Sequence, residues 1–149
     1  MQEKPIGMVL GKTLSEIFKV IKKKVAKQTE TRLTIDQFGL LYVLNQQKQD
    51  VIQKGVAETM GKDKSVILRI IDSLEEKGLV RRVVDMNDRR KNQILVTKKG
   101  LQIIDQYLEI EFQVKDELLV GISQSEVDTF YKVLAHIRTK AEQLIAQIN

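Results

Sequence analysis

The chain has 149 residues, of which 42% are hydrophobic and 30% are charged, a balance that predicts one folded domain and excludes wholesale disorder. It contains no cysteine and only one histidine, His136, which leaves no material for disulfides, a histidine-rich metal site or a histidine-based catalytic triad. We therefore expect no cofactor and no metal. No apolar stretch reaches the roughly 20 residues that a membrane-spanning helix needs, so we expect a cytoplasmic protein without a membrane partner.

The net charge of +5 is distributed unevenly along the chain. The first 100 residues hold 21 Lys and Arg against 12 Asp and Glu, whereas the last 49 hold 4 against 8. A basic segment of this kind is typical of proteins that bind nucleic acid or another acidic partner. A solvated surface with an uneven distribution would look the same, so the charge alone leaves both interpretations open.

The first two predicted elements are helices. Apolar residues recur every three or four positions between Leu10 and Val25, and lysines occupy the opposite face, where we interpret residues 22–24 as solvated rather than bound to DNA. After a loop at residues 28–33, Thr34 and Gln37 fit a capping box that starts the second helix. We expect the buried face of that helix to consist of Phe38, Leu41, Tyr42 and Leu44.

Residues 52–78 predict two short helices joined by a tight turn. Gly61 supplies the turn, Asp63 is placed to cap the second of these helices, and Gly78 ends it. The apolar stripe of that second helix consists of Ile67, Ile70, Ile71 and Leu74. Its exposed side should then carry Lys64, Ser65, Leu68, Arg69 and Asp72.

After Gly78 the pattern becomes that of a β-hairpin. Residues 79–84 and 93–97 are rich in β-branched and aliphatic side chains, and Asn87 and Asp88 between them are turn formers. The tip of the hairpin is basic and consists of Arg89, Arg90 and Lys91. This hairpin is the only β-structure that we predict.

Two long helices are predicted to finish the chain. The first is marked by Leu101, Ile104, Leu108, Phe112 and Leu119. Gly121 stops it, and a capping box between Ser123 and Glu126 starts the last helix. Apolar residues in that last helix alternate three and four apart from Val127 to Ile148. This spacing favours a coiled-coil seam between two subunits, and the alternative is one buried face within a single domain.

The order of helix, turn, helix and basic hairpin is that of a winged helix-turn-helix. The predicted fold class is therefore mainly α, with one β-hairpin wing and long terminal helices. The second short helix would enter the major groove of DNA, and arginines at the hairpin tip would reach the minor groove, whose negative potential attracts guanidinium groups. Two alternatives stay open: Arg69 would pair with Asp72 or Glu76 on its own helix, and the tip would be a solvated loop.

The same segments resemble the MarR family of transcriptional regulators. Residues 55–65 and 69–80 resemble the helix-turn-helix of that family, residues 85–100 are similar to its wing and the run that follows, and residues 33–38 match the opening of its second helix. The resemblance implies a homodimer with interlocking terminal helices that binds a pseudo-palindromic site in double-stranded DNA, and we expect a repressor. It also implies release of the DNA when a small aromatic or anionic effector binds between the dimer helices and the DNA-binding lobe.

By this analogy Lys64, Ser65 and Arg69 would touch the major groove or its phosphates. Arg90 would enter the minor groove, and Asp88 would orient the wing by pairing with an arginine. The full set of candidate DNA-binding residues is Lys64, Ser65, Leu68, Arg69, Asp88, Arg89, Arg90 and Lys91. Leu68 departs from the family, in which Ser or Thr is common here, and it would either read a thymine methyl group or pack against the protein. The absence of cysteine excludes the oxidant sensing that some members use.

We expect residues 1–149 to form one MarR-like domain. Within it residues 33–100 would form the DNA-binding lobe, and residues 1–32 and 101–149 the helical dimerisation region. An alternative hypothesis keeps the winged-helix shape but uses the basic surface to bind an acidic protein, as an adaptor without sequence-specific DNA binding. An enzyme is not expected, because the chain lacks cysteine, has one histidine and contains no glycine-rich phosphate loop.

Overall fold

The structure is a computed structural model that describes residues 4–47, 53–88 and 92–148. The elements in these ranges are α1 (Ile6–Gln28), α2 (Ile35–Gln46), α3 (Gln53–Met60), α4 (Lys64–Glu76), β1 (Val80–Val84), β2 (Asn92–Val96), α5 (Lys98–Leu118) and α6 (Gln124–Ile148). The strands pair antiparallel, which confirms the predicted mainly-α fold with one hairpin. Among the described residues, no helix is both long and apolar enough to cross a membrane.

The chain forms two compact units, residues 1–112 and 113–149. In the first unit α2, α3 and α4 contact one another, and the hairpin packs against α2, α3 and α4. The predicted apolar stripe of α4 is buried there, as the spacing of its residues indicated. The side chains that lie fully inside this unit include Leu40, Leu41, Val56, Ile67, Ile71, Leu74, Leu79 and Ile104.

The start of α2 is fixed by the predicted capping box. The Thr34 Oγ1 atom accepts a hydrogen bond from the Gln37 N–H at 3.1 Å, and the Gln37 Oε1 atom accepts one from the Thr34 N–H at 3.0 Å. The buried face of α2 differs from the prediction, because Leu40 is buried whereas Tyr42 is exposed. Apolar residues surround most of this helix, so their spacing does not single out one face.

Two glycines shape the chain where α4 ends and where α5 begins. Gly78 has φ +72°, the left-handed conformation expected of a residue just after a helix. Gly100 lies in the first turn of α5, where an added Cβ would stand 2.3 Å from the carbonyl oxygen of Leu79. Only a glycine permits this close approach, and the Thr97 N–H donates to the same carbonyl oxygen at 3.0 Å just before α5 begins.

Asp63 occupies the predicted position before α4, but its side chain makes no capping hydrogen bond. Instead the carbonyl oxygen of Asp63 accepts the backbone N–H groups of Val66 and Ile67 at 3.0 and 3.1 Å. The N-cap position of Asp63 was therefore predicted correctly, whereas the capping hydrogen bond expected from its side chain is not formed.

The buried face of α5 was predicted only in part. Ile104 is buried as expected, but Leu101 and Phe112 are exposed. The buried residues of α5 within the first unit are Ile103, Ile104, Tyr107 and Ile110. Two apolar stripes run along this helix, and the choice between them depends on contacts with distant parts of the chain.

The second unit contains the end of α5, the turn at Gly121 and α6. The predicted capping box is present, because the Glu126 Oε2 atom accepts the Ser123 N–H at 2.9 Å and the Glu126 N–H donates to the Ser123 Oγ atom at 3.3 Å. None of the residues of α6 is buried, and Phe130 and Leu144 in its heptad stripe are 51% and 58% exposed. The stripe is therefore only partly covered in the single chain, where Val127, Leu134 and Ile137 are half-buried and its other members are exposed.

Candidate nucleic-acid interface

The outward side of α4 carries the polar residues that the sequence placed there. Lys64, Ser65 and Arg69 are exposed, and Leu68 between them is half-buried. They lie opposite the buried stripe of the helix, and Lys64 and Ser65 sit in its first turn, where the helix dipole adds positive potential. This face combines two cations, a hydroxyl group and a methyl-bearing side chain, a set that suits phosphates and base edges.

Arg69 is not engaged by the carboxylates of its own helix. Asp72 binds the Arg82 guanidinium instead, through Oδ1 and Nη2. Within the described ranges Arg69 has no hydrogen bond or ion pair, so the alternative in which it pairs with Asp72 or Glu76 is not observed. Its guanidinium is accordingly available to an external anion.

Arg82 connects β1 to α4 next to the candidate interface, and the sequence reasoning missed it. Besides binding Asp72, it places Nη1 2.7 Å from the Glu75 Oε1 atom, and its backbone N–H donates to the Glu75 Oε2 atom at 2.9 Å. These bonds join β1 to the last turns of α4, and the hydrogen bond to Asp72 leads the causes that raise the pKa of Arg82. The sequence signal that could have identified Arg82 is a pair of carboxylates, Asp72 and Glu75, that lie one helical turn apart just before a basic strand.

The hairpin tip is organised by Asp85. Its Oδ1 atom accepts the backbone N–H groups of Asn87 at 2.7 Å and Asp88 at 3.3 Å, which is the geometry of an Asx turn. Arg89, Arg90 and Lys91 lie outside the described residues, so their expected contact with DNA stays a prediction. The pairing of Asp88 with an arginine also stays a prediction.

Helix α2 is fastened to the helix-turn-helix at two points. The Gln37 Nε2 atom donates to the Ser73 Oγ atom on α4 at 2.9 Å. At the turn before α4, the Lys62 Nζ atom lies 3.2 Å from the Asp36 Oδ1 atom. These two contacts link the start of α2 to α4 and to the turn that precedes it.

An apolar pocket of about 420 Å³ lies beside the start of α2. Ligand sites commonly have volumes of about 300–1,000 Å³ and carry a few polar groups on a hydrophobic wall. The residues that line this pocket are Phe18, Ile21, Lys22, Val25, Ala26, Arg32, Leu33, Thr34, Ile35, Phe38, Tyr107 and Glu111. The first five come from α1, and the last two come from α5.

Tyr107 joins the pocket wall to the loop before α2. Its hydroxyl group accepts the Leu33 N–H at 2.8 Å and donates to the Thr31 carbonyl oxygen at 3.1 Å. Its ring stacks on the ring of Phe38, with centroids 4.9 Å apart. Burial raises the pKa of Tyr107, although the hydrogen bond from the Leu33 N–H acts in the opposite direction.

Glu111 is the one acidic residue in the pocket lining. It is half-buried, and burial raises the pKa of its carboxyl group. In the part of the chain that the structure describes, Glu111 has no hydrogen bond and no ion pair. Nor do the described residues contain a group of three or more His, Asp or Glu side chains that could hold a metal ion.

Three packed helices followed by an antiparallel hairpin define a winged helix-turn-helix protein. Residues 33–91, which contain this arrangement, match the model of the MarR family. The segment that carries the helix-turn-helix and the wing therefore matches the MarR family, in agreement with the resemblance of its motifs.

Solved structures are similar to most of the chain. A MarR-family transcriptional regulator from Rhodococcus sp. RHA1 is 29% identical, with a TM-score of 0.75 over 89% of this chain and 91% of that one. CouR from Rhodococcus jostii RHA1, bound to p-coumaroyl-CoA, is also 29% identical, with a TM-score of 0.73 over 90% and 92%. MepR from S. aureus, in complex with DNA, has a TM-score of 0.79 over 93% and 99%, but at 19% identity the likeness is one of fold alone.

Proposed function

We propose that this chain is a homodimeric DNA-binding repressor, and not an enzyme, that recognises a pseudo-palindromic operator. The observation that carries the proposal is the unpaired cationic face of α4, where Arg69 is exposed and Asp72 is already bound by Arg82. An exposed helix with free cations beside a hairpin has the geometry required for the major groove and the adjacent minor groove.

In this proposal the residues of α4 and those of the hairpin tip contact different grooves of the DNA. Lys64, Ser65 and Arg69 contact the major groove or its phosphates, and Leu68, which is half-buried, both packs and offers methyl groups to thymine. The tip cations, Arg89, Arg90 and Lys91, enter the minor groove, with Asp88 orienting them.

Dimerisation is supported by the apolar surfaces of the terminal helices. Phe130 and Leu144 on α6 are exposed in the single chain, as are Ile6, Met8 and Leu14 on α1. Exposed apolar surface of this extent marks an interaction site, and the heptad spacing on α6 suits a second copy of the same helix.

Control by a small ligand is supported by the position of the pocket. Leu33 and Thr34 line it, and Thr34 shares the capping box with Gln37, whose side chain binds Ser73 on α4. A ligand that displaced Leu33 and Thr34 would therefore disturb the helix that reads DNA, and we infer that binding releases the operator. The structure of CouR bound to p-coumaroyl-CoA, at 29% identity, is consistent with a ligand site in a related protein.

The test is the affinity for DNA from upstream of its own gene, measured by fluorescence anisotropy over a range of salt concentrations. Arg69→Ala should lower the affinity for this DNA more than for random duplex if the side chain reads a base. Arg90→Ala should weaken binding to the upstream DNA and to random duplex alike, and the slope of log affinity against log salt should fall by about 1. The control is Arg138→Ala, which replaces an exposed arginine on α6. It should change neither the affinity for DNA nor the salt slope.

Unchanged affinity and salt slope in both variants would contradict the assignment of the interface. Failure of the wild-type chain to bind any duplex at near-physiological salt would instead favour the adaptor hypothesis, in which the basic surface binds an acidic protein.

A further inference from the structure

The pocket beside α2 contains an unusual combination of one desolvated carboxyl group and aromatic walls. Glu111 projects from α5 into the lining, is half-buried and has no partner in the described part of the chain. A carboxylate withdrawn from water without a partner is unfavourable, and a ligand that supplies a positive charge relieves this cost.

The two cations of the lining do not meet this need. Lys22 on α1 and Arg32 in the loop before α2 are both exposed, and neither forms an ion pair with Glu111. Long basic side chains keep their charged ends in water, where their attraction for a ligand is screened. Glu111 is less exposed than either cation, so its charge should have the larger influence on a ligand inside the pocket.

The remaining walls favour a flat ligand. The rings of Phe38 and Tyr107 stack on each other, and Phe18 contributes a third aromatic side chain from α1. The Tyr107 hydroxyl is already occupied by Leu33 and Thr31, so the ring presents mainly its apolar surface. Aromatic faces attract cations as well as flat apolar groups.

We propose that this pocket binds a planar aromatic cation whose positive group lies against the Glu111 carboxylate. This differs from the aromatic or anionic effector that the family resemblance implies. The assignment of the pocket as the effector site rests on the proposed function, whereas its preference for a cation rests on the lining alone.

The test uses three probes with one naphthalene ring and different charge: 2-naphthylmethylammonium, 2-naphthylmethanol and 2-naphthoate. The chain contains no tryptophan, so the fluorescence of the ring reports binding directly and no DNA is needed. Wild-type protein should bind the ammonium compound about tenfold more tightly than the alcohol, and the carboxylate least tightly.

Glu111→Gln keeps the shape of the side chain and removes its charge. It should weaken binding of the ammonium compound about tenfold and leave the alcohol within about twofold. Glu109→Gln removes an equal charge from an exposed residue two positions earlier on α5, and it should leave all three affinities unchanged. Thermal melts of both variants verify that they are folded.

The pH dependence gives a second readout. Only ionised Glu111 pairs with the cation, so the affinity for the ammonium compound should fall as the pH falls through the pKa of Glu111. Because that pKa is raised by burial, the fall should begin at a higher pH than for an ordinary glutamate. The other ionisable groups of the lining are Lys22, Arg32 and Tyr107, and the pH dependence should vanish in Glu111→Gln if Glu111 is its source.

Tighter binding of naphthoate, with Glu111→Gln without effect on the ammonium compound, would overturn the proposal in favour of Lys22 and Arg32. Equal binding of the three probes, or no binding of any, would also overturn it. If the ammonium compound binds through Glu111 but leaves the operator affinity unchanged, the ligand preference stands and the proposed control of DNA binding fails.

Discussion

Arg82 determines which of its neighbours remain available for binding. By holding Asp72 and Glu75, it leaves Arg69 without a competing carboxylate one turn away. Bonds between charged groups that are partly shielded from water contribute more than exposed ion pairs do, and the Arg82 side chain is only 24% exposed. Arg82 therefore joins the hairpin to α4 and keeps Asp72 from pairing with Arg69.

Arg82→Met tests this role. The change should lower the free energy of unfolding by about 1–3 kcal/mol, because two carboxylates lose their partner. It should also weaken operator binding about tenfold, because Asp72 becomes a free negative charge on the DNA-facing side. Urea titration and fluorescence anisotropy measure the two effects.

Arg81→Met is the matched control, because Arg81 is exposed on the same strand and the same net charge is lost. An equal loss of DNA affinity in both variants would mean that only net charge matters. If the unpaired Asp72 causes the loss of DNA affinity, the double variant Arg82→Met with Asp72→Asn should recover part of that affinity.

The helices and their ends were predicted from local signals in the sequence, whereas the buried face was predicted correctly for only some of the helices. Both capping boxes and the apolar stripe of α4 depend on residues close in sequence, and all three were predicted correctly. On α5 the face that contains Tyr107 is buried because it meets the loop before α2, a contact between residues more than 70 positions apart. Spacing on one helix cannot reveal such a partner.

The same limit applies to the candidate site. The exposure of Lys64, Ser65 and Arg69 was predicted from the sequence because a buried stripe defines the opposite face of one helix, and their contact with DNA stays a prediction. Glu111 was not identified, because a single carboxylate on a long helix looks like ordinary surface until α1 and α2 close around it. Arg82 was missed for a related reason, since its two partners precede the strand and meet it only when the hairpin docks.

Tyr107→Phe tests the contact that fixes α5 to the start of α2. The ring and its stacking on Phe38 remain, but the Leu33 N–H and the Thr31 carbonyl oxygen lose their partner. We expect the free energy of unfolding to fall by about 1–3 kcal/mol at neutral pH, as measured by urea titration. Tyr131→Phe, on an exposed tyrosine of α6, should change it by no more than about 0.5 kcal/mol.

This difference should depend on pH in a defined direction. The pKa of Tyr107 is raised by burial, so the folded state holds the phenol proton more tightly than the unfolded state. The resulting stability is complete below the ordinary tyrosine pKa of about 10 and is lost as the pH rises through the raised value. The gap between wild type and Tyr107→Phe should therefore narrow above about pH 10, and a constant gap would contradict this assignment.

At the scale of the whole molecule, charge and apolar surface are separated along the chain. The basic excess lies in the first 100 residues, which contain α4 and the hairpin, whereas the last 49 are acidic and include the exposed heptad stripe of α6. A dimer joined by its terminal helices would cover this stripe and present two DNA-reading helices, one for each half of a palindromic site.

Sedimentation at micromolar concentration tests the dimer. The wild-type chain should sediment with the mass of two subunits, and Leu144→Asp should shift it towards one, because a charge in the seam is desolvated without a partner. His136→Asp, an exposed residue outside the heptad positions, should remain dimeric. A wild-type chain that sediments as a monomer would refute the seam.

Selection from a random-sequence duplex library at near-physiological salt measures whether the chain reads a two-fold symmetric DNA sequence. We expect enrichment of a pseudo-palindrome whose half-site centres lie about 10 base pairs, one helical turn, or a multiple of this apart. Arg69→Ala should enrich a less defined sequence, with the loss confined to corresponding positions in both half-sites. Recovery of no enriched sequence by the folded wild-type protein would contradict the proposed DNA recognition.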